Sequence, residues 1–228
     1  MSAPPFVTRP AWADRLQAGV DAAFAVTGAD TPGWPDPNPD RNPPEEAYSR
    51  VLDPRKYRIL GARVRAWITV LSDRGIATAR EVAAPKPWVG AVRPPDAWAL
   101  VRRIDPSRPG ALSLLLATTL VDAEPFGLDI GIADAAGPPV LLETLPDCGC
   151  DACDSGSADL LRCLDERVLS VARGGVLHAR GRDRTATLQL DGWSSSGTPR
   201  LEGDEREWLD PSAAAPDDVR RWAGTAWL

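Results

Sequence analysis

Hydrophobic side chains recur at helical spacing in two stretches of the N-terminal third. In AWADRLQAGVDAAFAV, residues 11–26, they fall every three or four positions, the period of one face of an α-helix. A second stretch, residues 53–75, opens with Asp53 and Pro54, a pair favoured at helix starts, and closes with Gly75. The pattern predicts two amphipathic helices. Their expected buried side chains are Leu16, Val20, Ala23 and Phe24 in the first, and Leu60, Val64, Trp67, Ile68 and Leu71 in the second.

The segment between these helices, residues 27–44, contains six prolines and carries Trp34. Proline lacks the backbone N–H that regular elements require, so the segment is predicted to be a surface loop or an extended arm. We interpret it as a linker.

From residue 97 the periodicity changes to short apolar runs separated by turn-forming residues. Such runs, bounded by Pro, Gly and Asp, are typical of strands joined by tight connections. The spacing predicts four antiparallel strands in a meander. Their sequences are AWALVRRI, ALSLLLATTLV, LDIGIAD and VLLETLP.

The helical period returns after these strands. Residues 157–173 predict a third helix with Ser157 as its N-cap, a buried stripe and a glycine terminator. The stripe comprises Leu161, Leu164, Val168 and Val171, and the terminator is Gly174 or Gly175.

The last part of the chain is predicted to hold a hairpin, formed by VLHARGRD and TATLQLDG, and a short C-terminal helix. That helix is expected within residues 216–228 and ends in Trp227 and Leu228. Helices, then a run of strands, then a helix and a hairpin indicate a single α+β domain over residues 1–228, with a Pro-rich loop at residues 27–44.

Composition and charge narrow the classes of partner. The 228 residues are 43% hydrophobic and 25% charged, which is ordinary for a folded protein. A formal charge of −6 argues against nonspecific binding to nucleic acid. No apolar run approaches the roughly 20 residues of a membrane span, and the N-terminus lacks the pattern of a signal peptide. We therefore expect a cytoplasmic protein that binds neither nucleic acid nor membrane.

Basic and aromatic residues offer two candidate contact surfaces. The basic ones on the second predicted helix are expected to form a solvated face, with an anionic partner as the alternative. The nine tryptophans are expected mainly to seal the edges of the core, although aromatic side chains also mark surfaces for a protein partner. The basic residues are Arg55, Lys56, Arg58, Arg63 and Arg65.

All four cysteines fall within sixteen positions, in the pattern C-x-C-x2-C-x9-C. In a reducing compartment, clustered cysteines indicate metal ligands or free thiols before they indicate disulfides. Zinc takes four tetrahedral ligands, and a CxxC step can supply two of them. The candidate metal ligands, with zinc as the candidate ion, are Cys148, Cys150, Cys153 and Cys163.

Neighbouring charges oppose this zinc site without excluding it. Four aspartates surround the cysteines, and the nearest basic residues in sequence are Arg162 and Arg167. Each such charge effect is worth about 1 kcal/mol or less, whereas metal binding contributes on the order of 10 kcal/mol. Inert thiols in an acidic loop, with Asp154 and Ser157 capping the helix, remain an equal alternative.

Other chemistries fit the loop less well. Aspartates beside Cys150 and Cys153 disfavour the thiolate that a redox CxxC pair needs, and the spacing matches neither common iron–sulfur ligand patterns nor a calcium loop. The only histidine, His178, follows the far end of the third helix, and a returning strand would come level with the loop only near about residue 182. We therefore expect His178 to be structural.

The stretch LPDCGCDACDSGSADLL, followed by a helix that ends in VARGG, resembles an uncharacterised family of actinobacterial proteins in which a CGCDACD-type loop precedes a helix. This resemblance implies a bacterial cytoplasmic protein without an assigned role, and it brings no catalytic residues. The chain also lacks the phosphate-loop, dinucleotide and nucleophile-elbow motifs. We expect a non-catalytic protein that acts through protein contacts, with a metal- or thiol-dependent enzyme and an acidic binding protein with inert thiols as alternatives.

Overall fold

The computed structural model describes three α-helices, three short 3-10 helices and nine strands. It describes residues 9–40, 42–83, 88–91, 97–121, 124–135, 137–190, 192–197, 208–210 and 212–228. The helices are α1 (Ala11–Thr27), α2 (Arg58–Asp73) and α3 (Ser157–Ala172). The strands are β1 (Ala77–Val82), β2 (Trp98–Pro106), β3 (Ser113–Val121), β4 (Glu124–Ala133), β5 (Val140–Leu145), β6 (Leu177–Arg180), β7 (Arg184–Gln189), β8 (Gly192–Gly197) and β9 (Arg220–Ala223). The α+β class predicted from the sequence is confirmed.

The three predicted helices are present, but the second begins differently from the prediction. Asp53 accepts a hydrogen bond from the Arg55 backbone N–H at 3.1 Å, and the chain first forms the 3-10 helix Pro54–Tyr57. Helix α2 follows directly and ends before Gly75, whose φ of +64° allows the chain to turn away. Asp53 therefore caps the 3-10 helix rather than α2.

The first sheet is an antiparallel meander in the order β1-β2-β3-β4-β5. The four predicted strands correspond to β2–β5, whereas β1 was not predicted. Its sequence, ATAREV, has only a weak alternation of apolar and polar residues and includes the charged Arg80 and Glu81. Such a pattern suits an edge strand, where charged side chains reach solvent.

A second sheet has the order β8-β7-β6-β9. Strands β6 and β7 form the predicted hairpin, and β8 extends it. The predicted C-terminal helix is wrong, because residues 220–223 form β9 and pair antiparallel with β6, with Trp222 opposite His178. The free edge of β6 satisfies the backbone of this segment, and burial of Trp222 favours the strand over a local helix.

The main core lies between the helices and one face of the first sheet, and it also includes Trp222 and Trp227. A smaller cluster around Trp88 and Trp98 covers part of the opposite face. Among the eight tryptophan side chains that the structure describes, five are buried and three are half-buried. The buried ones, including Trp88, Trp222 and Trp227 from the loop and terminal segments, belong to the core, and the side chain of Trp193 lies outside the described part of the structure. Within the described ranges, no helix has the length and apolar character needed to cross a membrane.

Candidate metal centre

The cysteine loop connects β5 to α3, and its first three cysteines converge. The Sγ atoms of Cys148, Cys150 and Cys153 all lie within 4.8 Å of one another. The Cys150 side chain is buried, whereas Cys148 and Cys153 are exposed. A short 3-10 helix, Asp151–Cys153, turns the chain so that sulfurs two and three positions apart face the same point.

Cys163, the fourth predicted ligand, lies outside this group. It is on α3, six residues beyond Ser157 and therefore roughly 9 Å along the helix axis from its first residue. Its half-buried side chain packs against the main core, and burial raises the pKa of its thiol. The four cysteines, although close in sequence, thus divide into a cluster of three and one separate thiol.

Interactions among the clustered thiols shift the pKa values of Cys150 and Cys153. Hydrogen bonds from Cys148 first, and then from Cys153, lower the pKa of Cys150. The same interaction with Cys150, together with burial, raises the pKa of Cys153 to about 11. The neighbouring thiols therefore make Cys150 more acidic than an isolated cysteine and Cys153 less acidic.

The aspartates that flank the CxxC pair are neutralised by side chains distant in sequence. Asp151 accepts hydrogen bonds from Arg50 Nε at 3.0 Å and from the Leu52 backbone N–H at 3.2 Å. Asp154 forms an ion pair with Lys56, Nζ to Oδ2 2.5 Å, in which both side chains are largely buried. The acidic residues on either side of Ala152 and Cys153 therefore do not act as isolated negative charges.

The cations expected from the sequence are used elsewhere. Arg162 pairs with Asp159 and Glu166 on the surface of α3, and Arg167 pairs with Glu143 of β5 at 2.9 Å. Arg50 and Lys56 take their place, about one hundred residues upstream of the loop. No sequence motif marks this pairing, so it could be found only from the folded chain.

A left-handed glycine and two hydrogen bonds to residues outside the loop fix the loop backbone. Gly149 has a φ of +81°, and an added Cβ there would overlap the Phe126 ring. The Gly149 carbonyl accepts a hydrogen bond from the Tyr57 hydroxyl at 3.3 Å, and the Asp151 N–H donates to the Arg50 carbonyl at 2.8 Å. Contacts from outside the loop, rather than the loop's own residues alone, therefore set the positions of the cysteines.

The Pro-rich segment packs against the loop and is not a free linker. The Trp34 backbone N–H donates to Ser157 Oγ at 2.9 Å, and the Ser157 N–H donates to the Trp34 carbonyl at 3.0 Å. Trp34 Nε1 donates to both carboxylate oxygens of Asp154, at 2.9 and 3.0 Å. Burial alone would raise the pKa of Asp154, but the hydrogen bonds from Lys56 and Trp34 outweigh it and hold the pKa below its usual value.

The predicted caps of α3 are corrected by these contacts. Gly156, with a φ of +86°, occupies the N-cap position, and Ser157 is the first residue of the helix. The Ser157 hydroxyl binds the Trp34 backbone, and Asp154 accepts from the Gly156 N–H rather than from the first turn of α3. Both side chains connect the Pro-rich segment to the cysteine loop instead of capping the helix.

Of the residues singled out elsewhere in the sequence, Lys56 reaches the cysteine loop through Asp154, whereas His178 lies on β6. His178 is buried on β6, with Nδ1 2.8 Å from Thr187 Oγ1, and burial lowers its pKa to about 4. The basic residues predicted on the second helix do not form one solvated face, because Arg63 is only 3% exposed and binds Asp165 through two hydrogen bonds. Arg55, Arg58 and Arg65 are exposed, as expected for a solvated face.

A cleft of about 820 Å³ lies beside the loop, between the Pro-rich arm and the 3-10 helix Pro54–Tyr57. Its lining residues, all within the described ranges, include Asp151 and Asp154 but no cysteine. The cluster of sulfurs therefore adjoins the cleft without opening into it. Chemically, the loop offers three soft sulfur ligands, and its aspartates Asp151 and Asp154 are held in ion pairs.

Sequence comparison assigns the chain to a group of proteins rather than to a function. The model of a family of unknown function, DUF6226, matches residues 20–228. No curated protein and no solved structure matches the chain. The expectation that the chain is a member of a family without an assigned role is confirmed. The chain belongs to this family of unknown function.

Proposed function

We propose that this protein is a metal-stabilised binding protein that holds one zinc ion through the thiolates of Cys148, Cys150 and Cys153. The observation that carries the proposal is the convergence of these three Sγ atoms within 4.8 Å. Thiolates bound to a tetrahedral zinc ion at 2.3 Å lie roughly 3.8 Å apart. Small side-chain rotations therefore suffice to bring the three sulfurs to bonding positions.

Electrostatics around the loop support the same ion. Zinc with three thiolates carries a formal charge of −1, one unit less negative than the four-thiolate site. The pairing of Asp151 with Arg50 and of Asp154 with Lys56 removes most of the repulsion that the sequence indicated. The remaining exposed carboxylate, Asp147, costs about 1 kcal/mol or less, against a metal-binding free energy on the order of 10 kcal/mol.

The binding role rests on the surroundings of the loop. Leu52, whose backbone N–H donates to Asp151, is 72% exposed, and Tyr48 nearby in sequence is 51% exposed. Exposed apolar and aromatic side chains next to an ordered loop are typical of surfaces that contact another protein. The proposal implies a reducing compartment such as the cytoplasm, because zinc requires reduced thiols.

Two alternatives predict different properties of the same loop. A metal-dependent enzyme would expose an open metal position in a substrate cleft, yet no cysteine lines the described cleft. A thiol-redox enzyme needs one thiol of the pair with a lowered pKa, which Cys150 provides, but it does not use the third converging sulfur, that of Cys148. We favour the binding protein because no cysteine is among the residues that line the cleft.

The test is the zinc content of untagged protein purified without chelator, compared among four single variants. We expect one zinc per chain in the wild type, and a loss of affinity of at least about tenfold in Cys148→Ser, Cys150→Ser and Cys153→Ser. Cys163→Ser is the matched control, because it removes a thiol from the same segment but from outside the cluster, and it should retain the zinc.

Two results would reject the proposal. Wild-type protein that binds no zinc, with all four thiols reacting freely, would leave the loop as a group of inert thiols. A disulfide between Cys150 and Cys153 in place of zinc would favour the redox alternative.

A further inference from the structure

We infer that the fourth coordination position of this site is open to solvent and takes a neutral imidazole nitrogen from another molecule. The inference rests on the proposed zinc site and identifies the chemical class of ligand that completes it. Such a ligand would connect the metal to a partner that presents a histidine side chain.

The geometry of the three cysteines leaves one vertex of the tetrahedron uncovered. All three sulfurs come from a six-residue segment and so can occupy only one face of a tetrahedral ion. Cys150 is buried, and the Cys153 N–H donates to the Cys150 carbonyl at 3.1 Å, which closes the loop backbone between these two cysteines. Cys148 and Cys153 are exposed, so an ion held by these sulfurs lies at the protein surface, where water or another molecule can reach it.

The chain does not supply a fourth ligand from the part that the structure describes. No histidine, carboxylate or further thiol within those ranges joins the three sulfurs at the same separation. The nearby carboxylates of Asp151 and Asp154 are held by Arg50 and by Lys56 with Trp34. A ligand that completes the site therefore comes from solution or from a partner.

Charge selects a neutral donor. Zinc with three thiolates has a formal charge of −1, and a fourth thiolate would make it −2 beside the exposed Asp147. An imidazole adds a strong ligand without adding negative charge. The chain's only histidine, His178, is 4% exposed and lies on β6 beside Thr187, so a second copy of this chain cannot provide the ring from its folded state.

The experiment uses the full chain loaded with Co²⁺, whose visible spectrum reports the ligands around the ion. Imidazole, a short histidine-containing peptide and 2-mercaptoethanol are titrated separately at pH 7. We expect imidazole and the peptide to shift the visible bands saturably, with the thiol at least tenfold weaker. A response to imidazole alone would indicate a small-molecule ligand, whereas tighter binding of the peptide would indicate a protein partner.

Two variants, together with Co²⁺ binding by the wild type, serve as controls. Asp147→Asn should have the same Co²⁺ spectrum as the wild type, and Cys163→Ser should respond to imidazole unchanged. A spectrum altered by Asp147→Asn before any addition, or bands insensitive to imidazole in protein that binds Co²⁺, would overturn this inference and leave the metal site intact. Failure of the wild type to bind Co²⁺ at all would instead reject the zinc site itself.

Discussion

At the scale of single residues, Gly149 shows how backbone conformation places the sulfurs. Its φ of +81° is accessible to glycine at little cost, and the ring of Phe126 fills the space where a Cβ would stand. Gly149 lies between Cys148 and Cys150, so a change in its backbone would turn one sulfur away from the other. The convergence of the cysteines therefore depends on a residue that carries no ligand.

Gly149→Ala is expected to weaken both folding and metal binding. The left-handed conformation alone costs an L-residue about 1–2 kcal/mol, and overlap with Phe126 adds about 1–3 kcal/mol. Gly90→Ala is the matched control, because Gly90 has a φ of +79° and no atom within 4 Å of the added Cβ. Urea unfolding of the two variants measures the difference. Equal destabilisation would show that the Phe126 contact has no effect.

The sequence predicted all four cysteines as candidate ligands, and the structure brings the sulfurs of the first three together, with Cys163 outside that group. A C-x-C-x2-C spacing brings sulfurs together within one turn of chain, which is a local property. Cys163 depends instead on where α3 begins and on which face it presents to the core. The roles of Arg50, Lys56 and Trp34 were not predictable, because each reaches the loop from about one hundred residues away or more.

At the scale of elements, the buried ion pair between Lys56 and Asp154 joins the 3-10 helix that precedes α2 to the loop that precedes α3. The Lys56 and Asp154 side chains are 16% and 6% exposed, and the Lys56 ammonium also lies 5.4 Å from the Trp34 ring centre. A buried pair of this kind is costly to break, because the remaining charge stays desolvated.

Lys56→Met is expected to destabilise the protein by roughly 2–4 kcal/mol. This is at or below the usual range for a broken buried pair, since Asp154 keeps its hydrogen bonds from Trp34 and Gly156. Arg55→Met is the control, because Arg55 is an exposed neighbour whose ion pair with Asp53 spans 3.7 Å, and it should cost about 0.5 kcal/mol or less. If thermal or urea unfolding showed a similar loss of stability in the two variants, that result would contradict a structural role for the Lys56–Asp154 pair.

The pairing of β6 with β9 gives the second sheet a pH dependence. His178 on β6 packs edge-on against Trp222 on β9, with ring centres 5.3 Å apart, and burial lowers its pKa from 6.5 to about 4. The unfolded chain therefore takes up a proton that the folded chain excludes between these two values. The stabilising contribution is complete above about pH 6.5 and is lost as the pH falls toward 4, by about 3 kcal/mol in total.

Two measurements check this pH dependence. The ring protons of the only histidine should titrate by NMR with a pKa near 4. His178→Asn should be less stable than the wild type at pH 7.5 but should lose less stability between pH 6.5 and 4. A titration near the ordinary histidine value would show that His178 is not desolvated.

The type of each element was predictable where its hydrophobic pattern was long. The prediction failed where contacts with distant parts of the chain determined the secondary structure. Helices α1 and α3 and strands β2–β5 lie where their hydrophobic patterns predicted them. The C-terminal residues 220–223 have no such period, and their strand exists because β6 offers an edge to pair with. Local sequence carries no information about that edge.

At the scale of the whole molecule, a continuous core and a buried polar network connect the helices and sheets. The core includes side chains from all three helices, from the first sheet and from β9. Asp165 on α3 accepts hydrogen bonds from Arg63 and Trp67 on α2 and from Gln17 on α1. The Trp227 indole N–H donates to the Leu112 carbonyl at 3.0 Å, which attaches the C-terminus to the same body.

These connections predict one cooperative unfolding transition, which is also the test of the single domain expected from the sequence. Urea denaturation followed by tryptophan fluorescence and by far-UV circular dichroism should give coincident midpoints. Two separated transitions would show that the second sheet unfolds independently and that the chain has more than one domain.

We propose that three cysteines, and not four, hold the metal. X-ray absorption at the zinc edge of the purified protein measures the number of sulfur neighbours directly. We predict three sulfurs at about 2.3 Å and one lighter atom at about 2.0–2.1 Å. Four sulfurs would place Cys163 in the site and contradict the structural account, and a protein without zinc would contradict the metal centre itself.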